Sequence, residues 1–422
     1  MVNWTDIDFG TSIRFTYSGV EYDGTFIHLD GDVITIKLSN GYNIALRKDE
    51  VTLAGIVALA GKSEEVKHNG KTTTDLNKQN GAKRVSLLAT GGTISSKVDY
   101  KTGAVSPSED ISFISDRVKD VHISTETIDN ILSENVTPDK WVYMAGKIRA
   151  GLNRNDGCVV FHGTDTMSYS AAAISFIFSQ QTGPIIFVGS QRSSDRPSSD
   201  AFMNAEGAIH VATSDFGEVG IAMHQNMSDK AIAVNRAVRS RKMHSSRRDA
   251  FRSIGEKEVG IYVSGSVKFN SPYKKIGPTN ELKTKLDPAV SILYFYPSMS
   301  ARDFDMLIES KKAVIIMGTG LGHVSHSLMP SISEAAKKGK KIMMTTQCLD
   351  GAVNLNVYST GRELLRAGVI PLGNMLPEVA LVKAMYVLGN YEDEDFGKVM
   401  RQNLRGEIID REPALEFKGA DE

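Results

Sequence analysis

Cysteine is nearly absent: of 422 residues, only Cys158 and Cys348 carry a thiol. They stand far apart and form no metal-ligand spacing. This excludes a disulfide scaffold and points to reduced, buried thiols in an intracellular compartment. Basic excess is also missing. Lys and Arg number 49 against 50 Asp and Glu, a formal net charge of −1. A chain that grips nucleic acid unaided usually carries a basic excess, because phosphate neutralisation provides most non-specific affinity. No apolar run approaches the ~18 residues of a membrane-spanning helix. The first ten residues hold neither a basic segment nor an apolar one, so no signal peptide is expected and the chain is placed in the cytoplasm. The Asn-x-Ser/Thr triplets beginning at Asn3, Asn135 and Asn226 are then chance matches.

What is present is ordinary for a globular protein, 41% hydrophobic and 23% charged. At ~100–200 residues per domain, the length predicts two or three domains. Residues 1–60 read as a small antiparallel β-barrel. Ile13, Phe15 and Tyr17 alternate, as do Ile34, Ile36 and Leu38, then Tyr42, Ile44 and Leu46, and Ser18-Gly19, Asp30-Gly31 and Asn40-Gly41 mark tight turns. Residues 61–83 hold little apolar content beyond Val66, Leu76 and Ala82 and read as a linker.

From residue 84 the pattern becomes α/β. Val85–Ala89 runs into Thr90-Gly91-Gly92-Thr93, Cys158–Phe161 into His162-Gly163-Thr164-Asp165, and Ile185–Val188 into Gly189-Ser190-Gln191. Tyr169, Ala172, Ala173, Phe176 and Ile177 trace a helix face, and Ile174 and Phe178 off that face predict burial on more than one side. Strands feeding helices argue for a parallel sheet covered on both faces. A first α/β unit spans 84–275 and a second 285–422. The second holds strands at Ser291–Tyr296, Val314–Met317 and Ile342–Thr345 and a helix from Pro377 through Leu388. The stretch between about 266 and 288 reads as the connection.

Two motifs fail on inspection. Gly55 to Lys62-Ser63 resembles a P-loop but has five residues between its glycines, where four are needed. Gly318-Thr-Gly320-Leu-Gly322 resembles a dinucleotide fingerprint with its third glycine one position early. His323 and His326 lack a third ligand, so no metal site is expected. Arg236, Arg239, Arg241, Lys242, Arg247, Arg248 and Arg252 form a local basic cluster. It reads either as a solvated loop or as a site in which one member serves chemistry and the rest face an anionic substrate or RNA.

Chemistry concentrates in the first two strand-end loops. Ligands of open parallel sheets bind just outside the carboxyl ends of the strands. Each loop offers a threonine hydroxyl on a Gly-rich turn, where backbone N–H groups can face an oxyanion. A hydroxyl of this kind needs a base to take its proton. Lys242 can be that base if desolvation and neighbouring arginines depress its pKa, and Asp165 can hold it while binding a substrate ammonium.

TGGTI at Thr90–Ile94 and HGTDTM at His162–Met167 resemble the two signature motifs of bacterial-type L-asparaginases, and Lys242-Met-His-Ser-Ser…Asp249-Ala-Phe251 fits the same pattern. The resemblance covers roughly residues 84 to 405 and implies an asparaginase-like two-domain parallel-sheet fold. It makes Thr93 the attacking nucleophile and Thr164, Lys242 and Asp165 the relay that activates a hydroxyl or water. By the same carry-over, Ser133-Glu134 holds the substrate's α-amino and α-carboxylate groups. Tyr100 matches the flexible-loop tyrosine, after a shorter loop, and Gly92 and Gly163 line the substrate. At Leu321 the chain departs from stand-alone asparaginases, which place near there an asparagine contributed by a neighbouring subunit.

The N-terminal barrel and linker are a further departure, and with them the chain resembles GatD, the asparaginase-like subunit family of the archaeal glutamyl-tRNA(Gln) amidotransferases. That resemblance implies a protein that releases ammonia from asparagine or glutamine. Its partner in the complex, GatE, activates Glu-tRNA(Gln) with ATP and Mg²⁺, makes most of the tRNA contact and receives the ammonia. This chain itself is expected to bind no cofactor. The implied assembly is a heterotetramer with two copies of each protein and a homodimer through the asparaginase-like domains. The barrel is expected to dock GatE, and Phe15, Tyr17, Tyr22, Phe26 and Tyr42 are its interface candidates. The competing readings are a free-standing asparaginase and a non-catalytic RNA-binding scaffold. The intact set Thr93, Thr164, Asp165 and Lys242 argues against the scaffold.

Overall fold

The computed structural model describes residues 4, 7, 11–38, 43–58, 73–76, 82–91, 96–98, 105–107, 114, 118–193 and 199–412. At the N-terminus, Asn43–Arg47, Val33–Leu38, Val20–Asp30, Ser12–Tyr17 and Val51–Ala58 pair in that order as an antiparallel sheet. Alternation decides what it encloses: Ile13, Phe15, Ile34 and Ile36 are fully buried, with Trp4, Ile7, Phe26 and Val51 completing the core. No ladder joins Asn43–Arg47 to Val51–Ala58 among the described residues, so the barrel is open between its outer strands. Phe15 and Phe26 belong to its core and Tyr22 stacks on Phe15. Tyr42 lies outside the described residues.

The second unit is built on a nine-stranded sheet. Its centre is parallel: Val121–Thr127, Lys83–Ala89, Gly157–Phe161, Ile185–Val188 and Val219–His224 lie side by side. Every residue of the last three is buried, which is why they read as continuous apolar runs. Antiparallel strands extend both margins. On one side lie Ile232–Arg236, Gly260–Val263 and Ser266–Phe269, and on the other Thr73–Leu76.

Two expectations change here. The stretch 61–83 is not wholly a linker, because Thr73–Leu76 is an edge strand whose Leu76 registers with Ile123. A short β-branched segment can join a sheet through backbone hydrogen bonds without a large apolar face of its own, which composition alone does not reveal. The expected connection from 266 likewise begins as the edge strand Ser266–Phe269.

The third unit is a parallel sheet of Val290–Tyr294, Ala313–Gly318, Lys341–Thr346 and Ile370–Pro371. Among its helices, Ala301–Ile308 starts with a reciprocal capping box between Ser300 and Asp303. The helix Pro377–Asn390 packs against Met167–Ile177 of the preceding unit, and Phe176 stacks on Tyr386. Met167–Ile177 lies between its own sheet and that helix, so nearly all its residues are buried, Ile174 included.

Arg239 is fully buried and crosses from one α/β unit to the next. Its guanidinium donates to the carbonyls of Ile254, Asn374 and Glu407. Of the two thiols, Cys158 is buried, and burial pushes its pKa up. Cys348 is exposed, contrary to expectation, because it follows the strand Lys341–Thr346 into a surface loop. Among the described residues, no helix is long and apolar enough to cross a membrane.

Candidate active site

The carboxyl ends of the parallel strands meet at one edge of the large sheet. Lys83–Ala89 delivers Thr90, whose buried hydroxyl and backbone N–H both donate to Phe161 O, at 2.8 and 3.0 Å. This ties the first loop to the strand that carries the second. Gly91 then turns with φ +104, and a Cβ there would lie 2.6 Å from Ile131 O. Both the dihedral and the close backbone demand glycine. Gly92, Thr93 and Tyr100, three of the residues singled out from sequence, lie outside the described residues.

Gly157–Phe161 delivers His162-Gly163-Thr164-Asp165. Thr164 is buried, and its Oγ1 accepts a hydrogen bond from Lys242 Nζ at 2.9 Å. The same ammonium reaches Asp165 Oδ1 at 2.7 Å. Lys242 arrives from 77 residues downstream of Asp165, at the end of the strand Ser240–Lys242, where it pairs with Phe251 in a short hairpin. Its side chain is only 14% exposed while that of Asp165 is 71% exposed, so the carboxylate opens toward solvent and the amine is held inside.

Ser133 is buried in the 3-10 turn Ser133–Asn135 and stands beside the second loop. A Cβ on Gly163 would lie 2.7 Å from Ser133 Cβ, so only glycine allows this approach. Thr166 Oγ1 donates to Ser133 O at 2.6 Å and clamps the turn. Glu134, next to it, is exposed. Thr164, Asp165, Lys242, Ser133 and Gly163 are thus gathered at one sheet edge, beside the loop that leads into Gly92 and Thr93.

His162 is fully buried, with Nδ1 2.7 Å from Gly163 O. Burial pushes its pKa down to about 4, so the ring is neutral near pH 7 and Nδ1–H donates to the carbonyl. This fixes the peptide that leads into Thr164. Sequence reasoning quoted His162 without giving it a task; the signal that could have marked it is a polar ring set between an apolar strand and a glycine.

In the described structure the arginines of the basic cluster are engaged with carboxylates and carbonyls of the chain itself. Arg236 is held by Glu218 and Glu256. Arg241 stands 3.6 Å from Glu378, and Arg248 pairs with Asp229. Arg247 and Arg252 both pair with the buried Asp249. These carboxylates lie far from the arginines in sequence or hidden among them, so the cluster looked uncompensated. The arginines invoked to tune Lys242 are likewise engaged with carboxylates or carbonyls. Among the described residues, no group of His, Cys, Asp and Glu could hold a metal ion; His323 bonds Thr360, and His326 pairs with Glu363.

A lysine touching a buried threonine and a carboxylate at the ends of parallel strands can move protons to and from a hydroxyl or a water. Known proteins carry the same architecture. The asparaginase N-terminal model matches residues 84–275, the glutaminase/asparaginase C-terminal domain model 289–399, and the GatD N-terminal domain model 7–56. The L-asparaginase of Thermococcus kodakarensis superposes with a TM-score of 0.71 at 29% identity, covering 99% of that chain but 77% of this one. L-asparaginase I of Vibrio cholerae gives 0.66 at 28% identity, over 100% of that chain and 78% of this one. The glutamyl-tRNA(Gln) amidotransferase GatD of Thermoplasma volcanium is 48% identical over 95% of this chain and 98% of its own. That of Pyrococcus furiosus is 42% identical over 92% of this chain and 91% of its own. Matched nearly end to end by these proteins, N-terminal domain included, the chain belongs to the GatD family of glutamyl-tRNA(Gln) amidotransferase subunits.

Proposed function

We propose that this chain is the ammonia-releasing subunit of an amidotransferase that converts Glu-tRNA(Gln) to Gln-tRNA(Gln), with asparagine or glutamine as amide donor. The observation that carries the proposal is the bridge from Lys242 Nζ to Thr164 Oγ1 and Asp165 Oδ1, in a chain that also bears the N-terminal domain of its family. Thr93 Oγ forms a bond to the donor's amide carbon, and its proton ends on the departing nitrogen, so ammonia leaves and an ester remains. Backbone N–H groups around Gly92 and Gly163 stabilise the oxyanion. Water then adds to the ester. Thr164 and Lys242 take its proton and return one to Thr93 as the acid product departs. Asp165 holds Lys242 and, with Ser133 and Glu134, receives the donor's α-amino and α-carboxylate groups, with Tyr100 closing over them.

ATP and Mg²⁺ serve the acceptor reaction on the partner protein, GatE, which carries most of the tRNA contact. This chain binds neither. Two GatD and two GatE chains assemble in the cytoplasm around a homodimer of the asparaginase-like domains. The ammonia must reach the acceptor before bulk water protonates it, which calls for an enclosed path.

The test is ammonia release from asparagine and from glutamine, with and without GatE and charged tRNA. Thr93→Ala should lose several orders of magnitude in rate, the ~10⁶ typical of a deleted nucleophile. Free ammonium at high concentration should restore Gln-tRNA formation by Lys242→Ala in the assembled complex. Thr93→Ala activity within about tenfold of wild type would remove Thr93 from the mechanism, and failed ammonium rescue would place Lys242 in activation or transfer as well.

A further inference from the structure

We propose that His224 is a positioning residue for Thr164, acting through Asn204 and the carbonyl of Gly189; this deepens the amidohydrolase reading above and rests on it. His224 is the last residue of the strand Val219–His224 and is fully buried. Its Nδ1 lies 2.6 Å from Asn204 Oδ1 and its Nε2 2.9 Å from Asp229 Oδ1. The orientation of the Asn204 amide follows from its other contacts. Nδ2 faces acceptors only, Gly189 O at 2.9 Å, Asp200 Oδ2 at 3.0 Å and Met223 Sδ at 3.6 Å, which take up its two hydrogens. Oδ1 is left to accept, so Nδ1 of His224 donates to it. Asp229 Oδ1 also receives Arg248 Nη1 at 2.7 Å and anchors the far side of the ring.

At its other end the chain of contacts reaches the reacting groups. Gly189 follows the strand Ile185–Val188 and stands against the second loop. A Cβ on Gly189 would lie 2.7 Å from His162 O and 2.8 Å from Thr164 Cγ2. The glycine backbone therefore walls off the Thr164 methyl. A threonine has three staggered wells at χ1, and only a well that aims Oγ1 at Lys242 makes the 2.9 Å contact. Asn204 holds the wall by the Gly189 carbonyl. Asp200, fully buried, holds the next turn by accepting from Gln191 N and Arg192 N at 3.0 Å. His224 fixes Asn204 in turn. Without it, Gly189 can draw back, the methyl can rotate and the hydroxyl can leave the ammonium. The substrate-binding side, Ser133 with Thr166, is tied by separate contacts.

The experiment compares wild type with His224→Leu, Asn204→Asp and His224→Gln. Asn204→Asp keeps an acceptor for the ring but has no N–H for Gly189 O. For hydrolysis of asparagine or glutamine, His224→Leu and Asn204→Asp should lose on the order of 100-fold in kcat, the scale of a 1 Å misplacement. KM should stay within about threefold, and His224→Gln, which can still donate, should recover part of the loss. Unchanged kcat in the folded variants, or a loss appearing only in KM, overturns the proposal. A crystal structure of each variant that folds reads the same coupling without an assay. Loss of the Lys242–Thr164 hydrogen bond supports the proposal, and its retention overturns it, even if wild type releases no ammonia. That last result would instead defeat the functional reading.

Discussion

Lys383 Nζ and Glu407 Oε1 face each other at 2.6 Å with both side chains wholly excluded from solvent. The lysine comes from the helix Pro377–Asn390 and also donates to the carbonyls of Met400 and Gln402. The glutamate accepts from Leu404 N and Arg405 N. The pair thereby stitches the segment after Met400 to the helix that packs on the catalytic unit. Removing one partner leaves an uncompensated buried charge. Lys383→Met is expected to lower unfolding free energy by about 3–5 kcal/mol, read from urea titration. A loss below about 1 kcal/mol would mean that the pair behaves like a surface one.

A second prediction concerns acid. Burial holds the His162 pKa at about 4, against an ordinary 6.5. The unfolded chain takes up a proton near pH 6.5 that the folded chain refuses until about pH 4. The resulting stabilisation is present above pH 6.5 and drains away as pH falls through that window, by roughly 3 kcal/mol in all. Replacing the ring with the non-titrating amide of His162→Gln should flatten the dependence. Between pH 7 and 4.5, the variant should lose about 2–3 kcal/mol less than wild type. Parallel curves for the two proteins would show that His162 does not control this slope.

The N-terminal unit yields a third prediction. It carries none of the catalytic groups, and it exposes Val20, Val33, Ile56 and Val57. Scattered apolar side chains of this kind are ordinary on a protein surface, so the expectation that this unit docks GatE is carried by its match to the family's N-terminal domain. A chain beginning near residue 60 should fold, hydrolyse amide at a rate within about threefold of the full chain, and bind GatE at least about tenfold more weakly by calorimetry. Unchanged affinity would move the docking surface to the α/β units. The cut must precede Thr73, because a later start would strip the edge strand Thr73–Leu76 from Val121–Thr127.

Much of the site was legible because its parts are local. The strand ends at Ala89 and Phe161, Gly91 and Gly163 after them, and Thr164 follow one another within a few residues, where alternation, burial and turn chemistry act, while Gly92 and Thr93 lie outside the described residues. The helix from Pro377 carried its own start signal and runs to Asn390. Less legible was anything set by a distant partner. The arginine cluster looked like a basic surface until Glu218, Glu256, Glu378 and Asp229 arrived from elsewhere. The Phe15 and Phe26 rings, offered from sequence as interface candidates, are core, because two strands turn them inward together.

By itself, the sequence determined the β-rich start, the parallel strands that run into the Gly-rich loops, and through its motifs and N-terminal domain the family. Tertiary structure alone decided that Lys242 meets Thr164 across 78 residues, that Thr73–Leu76 joins the sheet, and that His224 stands behind Gly189. The physical reason is the range of the forces involved. Periodicity and turn preference act over a few residues and are written in them. A hydrogen bond between remote side chains exists only once the packed sheet has brought its ends within about 3 Å.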